Sequence, residues 1–134
     1  MSCYIEVMSF DCTAAFLTLA ATDFKRLVEF YLRLLGQEPK VYLGDIYAEF
    51  ALPGLRLAIF RAKASHQSEF ANSRGSGMSL CLEVTNLETA IADLTVMGYP
   101  PPGEIQIASH GREIYAYDPE SNRIILHETI LSQP

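Results

Sequence analysis

The side chains of this 134-residue chain that could do chemistry are few and scattered. Cysteines stand at Cys3, Cys12 and Cys81, an odd number without CxxC spacing, which fits free thiols in a reducing compartment better than a disulfide framework or a zinc knot. Cys81 alternates with Ser79 and Glu83 along a short apolar run. A nucleophilic Cys needs a base and electropositive surroundings, and the sequence supplies neither, so Cys81 reads as a small buried filler. Glu83 would serve as a general base if burial raised its pKa; the plainer reading is a solvated carboxylate at a strand end. Arg56 lies near Tyr47 and Phe60 if the chain folds back at Pro53-Gly54. An Arg among aromatics suits an anionic or planar ligand, and the same Arg also suits the capping of a sheet edge. His66 falls in a Ser-rich stretch and His110 precedes a turn glycine, so both read as exposed loop residues. No residue is assigned a catalytic role.

These groups sit in a chain with globular composition: 49% apolar, 19% charged, seven Phe and seven Tyr. Its length predicts one domain over 1–134. With a net charge of −6 and only ten Lys and Arg, the chain lacks the basic surface that nucleic acid requires. The first residues carry no basic, apolar leader, and no run reaches the roughly 18 apolar residues of a membrane span, so no membrane association and a cytoplasmic location are expected.

The elements that position the side chains are written twice. Phe16–Ala21 reads as a strand, Asp23 as a helix N-cap, and Phe24, Leu27, Val28, Phe30, Tyr31, Leu34 and Leu35 as the apolar residues of a helix closed by Gly36. Strands follow at Lys40–Leu43, Ile46–Leu52 and Leu55–Arg61, the last two a hairpin about Pro53-Gly54. The order β-α-β-β-β then repeats. Met78–Val84 leads to an N-cap at Asn86, a helix through Leu87, Ala90, Ile91, Leu94 and Met97, and Gly98. Strands at Glu104–Ala108, Arg112–Tyr117 and Arg123–Glu128 complete the copy, the last two flanking a turn at 118–122. The two caps lie 63 positions apart and the two glycines 62, so the units match in length to one residue. Module one thus covers about 14–61 and module two about 78–128. The aperiodic 62–77 reads as a mobile connector, and 1–12 as an extra strand or arm.

Asp23, Tyr31 and Leu35-Gly36 resemble the D…FY…LG signature of the vicinal-oxygen-chelate superfamily of glyoxalases, bleomycin-resistance proteins and dioxygenases. Asp118-Pro119-Glu120-Ser121-Asn122 is similar to its C-terminal DPxGN hairpin, and Gly111-Arg112-Glu113 leading into Tyr115-Ala116-Tyr117 looks most like the bleomycin-resistance branch. Ser121 stands where Gly is usual, which bears on the turn's φ > 0 geometry; Asn122 beside it tolerates that conformation. The resemblance implies an α+β fold in which two βαβββ modules form an incomplete barrel around a cup. It also implies metal ligands at four positions, which correspond here to Phe16, Ala58, Ser79 and Ile125. None is a good ligand, and one-residue shifts bring no better one, so no metal and no other cofactor is expected. Glu49, placed beside Ala58 by the hairpin, and His127, two residues past Ile125, are the groups that could stand in; the plainer reading sets both at the rim in water.

The lead function is therefore a metal-independent protein holding a small aromatic or amphipathic molecule in the cup. Its expected lining is Phe16, Tyr47, Glu49, Arg56, Ala58, Phe60, Ser79, Cys81, Ile125 and His127, with Tyr115 and Tyr117 adding aromatic surface if their face is the inner one. Two alternatives remain open: a glyoxalase-type lyase, isomerase or dioxygenase with a displaced metal or acid/base site, and an interaction or regulatory module whose cup is filled. A homodimer is expected, because each module leaves one sheet face to be covered.

Overall fold

In a computed structural model, which describes residues 5–129, the helix after the first strand shows how local signals build each half. Asp23 accepts a hydrogen bond from the Arg26 N–H, and Gly36, at φ 65°, donates to the Leu32 carbonyl, so both ends of α1 (Phe24–Leu35) are capped. Phe24, Leu27, Val28, Phe30 and Tyr31 are buried, whereas Lys25, Arg26, Glu29 and Arg33 face water. Around this helix β1 (Leu17–Ala21), β2 (Val41–Leu43), β3 (Tyr47–Leu52) and β4 (Leu55–Arg61) form a sheet of order β1-β4-β3-β2, with β1 parallel to β4. The second half repeats the plan. Its elements are β5 (Leu80–Glu83), α2 (Leu87–Met97), β6 (Gln106–Ala108), β7 (Gly111–Tyr117) and β8 (Arg123–Thr129), in the sheet order β5-β8-β7-β6.

Period-2 alternation gives each sheet two different faces. In module one Leu19, Ala21, Ala48, Phe50, Leu57 and Ile59 are buried on the helix side, and in module two Leu80, Ile114, Ala116, Ile124 and Leu126. Each such Leu, Ile or Phe contributes about 1.5–3 kcal/mol of burial free energy. The opposite faces carry the polar and aromatic side chains.

The residues that carry the family-like signatures join the two modules. The Tyr31 hydroxyl of α1 donates to Asp118 Oδ2 at 2.7 Å in a buried contact. Glu120, in the same turn as Asp118, accepts from Thr22 N, Thr22 Oγ1 and Asp23 N at 2.9–3.1 Å, an anion at the positive end of α1. Module two repeats the device within itself, where Glu128 accepts from Leu87 N at the start of α2.

Several expectations change. The connector is not featureless: it holds a 3₁₀ helix, Ala64–Phe70, whose Phe70 ring meets Phe60 edge-on at 5.6 Å. Its later part is pinned by the Arg123 guanidinium, which donates to the carbonyls of Arg74 and Ser76. The left-handed residue of the 118–122 turn is Ser121 itself, at φ 67°, and not Asn122. Residues 5–12 form no strand and leave Ile5, Val7, Met8 and Phe10 exposed. Cys12 and Cys81 are free thiols, while Cys3 lies outside the described residues. No helix among the described residues is long and apolar enough to cross a membrane.

Candidate functional site

Strand register decides which side chains share a face. Thr18 pairs with Ala58 and Ala58 with Glu49, while Phe60 pairs with Ala20 and Tyr47, so these residues all lie opposite α1, together with Arg56 and Phe16. Ala58 is fully buried beneath its neighbours; Tyr47, Glu49 and Phe60 are half-buried; Phe16 and Arg56 are exposed. The Arg56 guanidinium lies 4.9 Å from the centre of the Phe16 ring and 3.5 Å from Glu49 Oε1. Tyr47 donates its hydroxyl to Glu49 Oε2 at 2.7 Å, a bond that raises the phenol's pKa. The result is an aromatic floor with a cation and a carboxylate held in fixed relation on it.

On the matching face of module two, Cys81 pairs with Ile125 and Ile125 with Tyr115, while Glu83 and Glu113 flank His127. Ser79 and Arg123 stand at one end of this face, where Arg123 Nη1 donates to Ser79 Oγ at 2.9 Å. Cys81 is exposed, not a buried filler, because this face is left uncovered in the monomer. Its thiol pKa is raised by partial burial and then by the carboxylates of Glu83 and Glu113, the reverse of what a nucleophile needs. His127 is 6% exposed and so is not at a rim in water. Its Nδ1 lies 2.5 Å from Glu83 Oε1, and its Nε2 is buried without a hydrogen-bond partner among the described residues. The exposed His110, expected only as a loop residue, stacks on the His127 ring with centroids 5.0 Å apart. Glu113 and His110 are the residues that sequence reasoning missed. Pairing Tyr117 with Arg123 across the turn brings Glu113 opposite His127, a register already implicit in the hairpin length.

A crevice of about 290 Å³ runs between β1 and β5 beneath the connector, bordered by Thr18, Ala20, Tyr31, Phe70, Ser79 and Arg123 among others. Of the residues expected to line a cup only Ser79 borders it, so in the monomer the remainder belong to the two open sheet faces. Nor do the four positions where the resemblance implies ligands fit a metal. Phe16 and Ile125 offer no donor, Ala58 is buried methyl, and Ser79 Oγ accepts from a guanidinium that would repel a cation.

No family model and no curated protein matches the sequence. Solved structures do match. A glyoxalase/bleomycin resistance protein from Catenulispora acidiphila is 24% identical with a TM-score of 0.65, covering 87% of this chain and 97% of that one. A glyoxalase-related enzyme from Fulvimarina pelagi is 20% identical with a TM-score of 0.71, covering 87% and 88%. The fosfomycin resistance protein FosX from Listeria monocytogenes is 17% identical with a TM-score of 0.70, covering 91% and 97%.

Proposed function

We propose, for a chain whose fold is that of the glyoxalase/bleomycin-resistance proteins of the vicinal-oxygen-chelate superfamily, that it binds a small aromatic or amphipathic molecule without a metal at the four positions where that fold commonly carries one. The observation that carries this reading is the arrangement on module one: Arg56 over Phe16 and against Glu49, itself held by Tyr47. A planar ligand stacks on such a floor through apolar contact, and its polar group is oriented by the guanidinium or the carboxylate. The face is open in the monomer, and a second copy laid across it by a two-fold axis would complete the enclosure, so a homodimer is part of the proposal. So is a cytoplasmic location, in keeping with the free thiols of Cys12 and Cys81.

The test uses the full chain and anilinonaphthalene sulfonate, an anionic aromatic dye. Saturable binding is expected, weakened about 10-fold by Arg56→Ala, equivalent to about 1.4 kcal/mol, with little change in stability because Arg56 is half-exposed. No saturable binding, or affinity untouched by both Arg56→Ala and Phe16→Ala, refutes the reading. Sedimentation showing only the 14.9 kDa species at micromolar concentration refutes the dimer. A glyoxalase-type lyase, isomerase or dioxygenase is the second reading, favoured by one observation: His127 held by Glu83 is oriented as a general base is.

A further inference from the structure

Module two holds a cluster that ligand binding on module one does not use. His127 is buried, its Nδ1 engaged by Glu83 and its Nε2 without a partner among the described residues. With a carboxylate accepting at Nδ1, the proton of the neutral ring resides there, and Nε2 presents a lone pair. One donor atom each from His110, Glu113 and His127 lies within 4.8 Å of the other two. Gly111 lets the backbone pass close to this ring edge: a Cβ built on it would fall 2.8 Å from Nε2 and 2.3 Å from the Glu128 carbonyl oxygen, so no side chain fits there. A hydrogen bond with the exposed Glu83 carboxylate explains Nδ1 of His127. It explains neither the orphaned Nε2 nor the gathering of a second imidazole and a second carboxylate beside the ring.

We infer that His110, Glu113 and His127 form a binding site for a divalent first-row transition cation of the Zn²⁺, Co²⁺ or Ni²⁺ class. Two imidazoles and one carboxylate suit these ions and not Ca²⁺ or Mg²⁺, which favour all-oxygen shells. Glu83 is the positioning residue, fixing the tautomer and ring plane of His127 as carboxylates behind metal-bound histidines do. The three donor atoms, within 4.8 Å of one another, are near enough for one ion to draw them together, and His110, exposed in the turn before β7, is the side chain with most room to adjust. Three protein donors leave coordination positions free for water or a ligand atom. His127 lies two residues along β8 from Ile125 on the same sheet face, so an ion there sits beside the open surface and apart from the four positions that fail to fit one.

The test titrates Co²⁺ into the chelator-stripped full chain, read by visible d–d absorption, with Zn²⁺ competition as the second measurement. One equivalent per chain is expected. His110→Ala and Glu113→Gln, both at incompletely buried positions, should each weaken it about 10-fold or more, and Glu83→Gln about 10–100-fold. In the Co²⁺ form the ring protons of His127 should show large paramagnetic shifts. Absence of stoichiometric binding overturns the inference, as does binding that survives His110→Ala and Glu113→Gln unchanged or leaves the His127 resonances unshifted.

Discussion

Replacing Tyr31 by Phe keeps the buried ring and removes one hydroxyl, which makes it a clean probe of how the modules are tied. The Asp118 carboxylate accepts from Glu120 N, Asn122 N and Asn122 Nδ2 within its own turn; the Tyr31 hydroxyl, at 2.7 Å, is its side-chain donor from the other module. A buried hydrogen bond to a charged group is worth about 1.5–3 kcal/mol, so a loss of about 2 kcal/mol is expected. For a chain of this length that lowers Tm by roughly 8 °C. The loss should also depend on pH. Burial raises the Asp118 pKa and the Tyr31 hydrogen bond lowers it, so the variant's Asp118 titrates higher still. A carboxyl whose folded pKa exceeds its unfolded value costs stability as pH rises through that interval, and the variant has the wider interval. The penalty is therefore largest at neutral pH and shrinks as pH falls through the raised pKa. Urea unfolding at neutral and mildly acidic pH measures both effects. A loss below about 0.5 kcal/mol at pH 7, or one that stays constant as Asp118 protonates, refutes the reasoning.

Gly111→Ala should destabilise by about 3 kcal/mol or more, seen by thermal melting, because the added Cβ collides with the Glu128 backbone carbonyl, which cannot move without breaking the β7–β8 ladder. Ser121→Gly should raise stability by about 0.5–1 kcal/mol in the same assay, by relieving a left-handed non-glycine residue. Arg112 bridges Glu88 and Glu128 and holds the Glu88 pKa at about 2, below its ordinary 4.5. That stabilisation is complete above pH 4.5 and lost as pH falls toward 2, so Arg112→Met should flatten the acid limb of a stability–pH curve over this interval; an unchanged limb counts against the bridge.

What could be read from the sequence was local. Asp23 and Gly36 announce both ends of α1 because capping involves residues within one turn, and the paired spacing of the second half follows from the same signals. The hairpin about Pro53-Gly54 places Glu49 beside Ala58 as expected, since a short turn fixes register. What was missed depends on distant partners. The order of the connector comes from Arg123, 47 residues beyond the Ser76 carbonyl it binds. The burial of His127 depends on the turn between β6 and β7, where His110 stacks on its ring and Gly111 lies against it, and a lone histidine in an apolar strand carries no mark of it. Cys81 was expected inside because Cys usually is; its exposure follows from which sheet face the chain leaves uncovered, which no local signal marks.

The contact between α1 and the 118–122 turn bears on how the chain reaches its native state. Tyr31 and Asp118 are 87 residues apart, and Thr22 and Glu120 98, so closing these contacts orders a long loop before any return is gained. Each module's hairpins and helix span far fewer residues and can form first, as separate nuclei. The junction then belongs on the native side of the folding barrier, so weakening it should speed unfolding and leave the folding rate nearly unchanged. The lifetime of the folded protein would thus be set at the seam between two copies of one unit, by Tyr31, Asp118, Thr22 and Glu120.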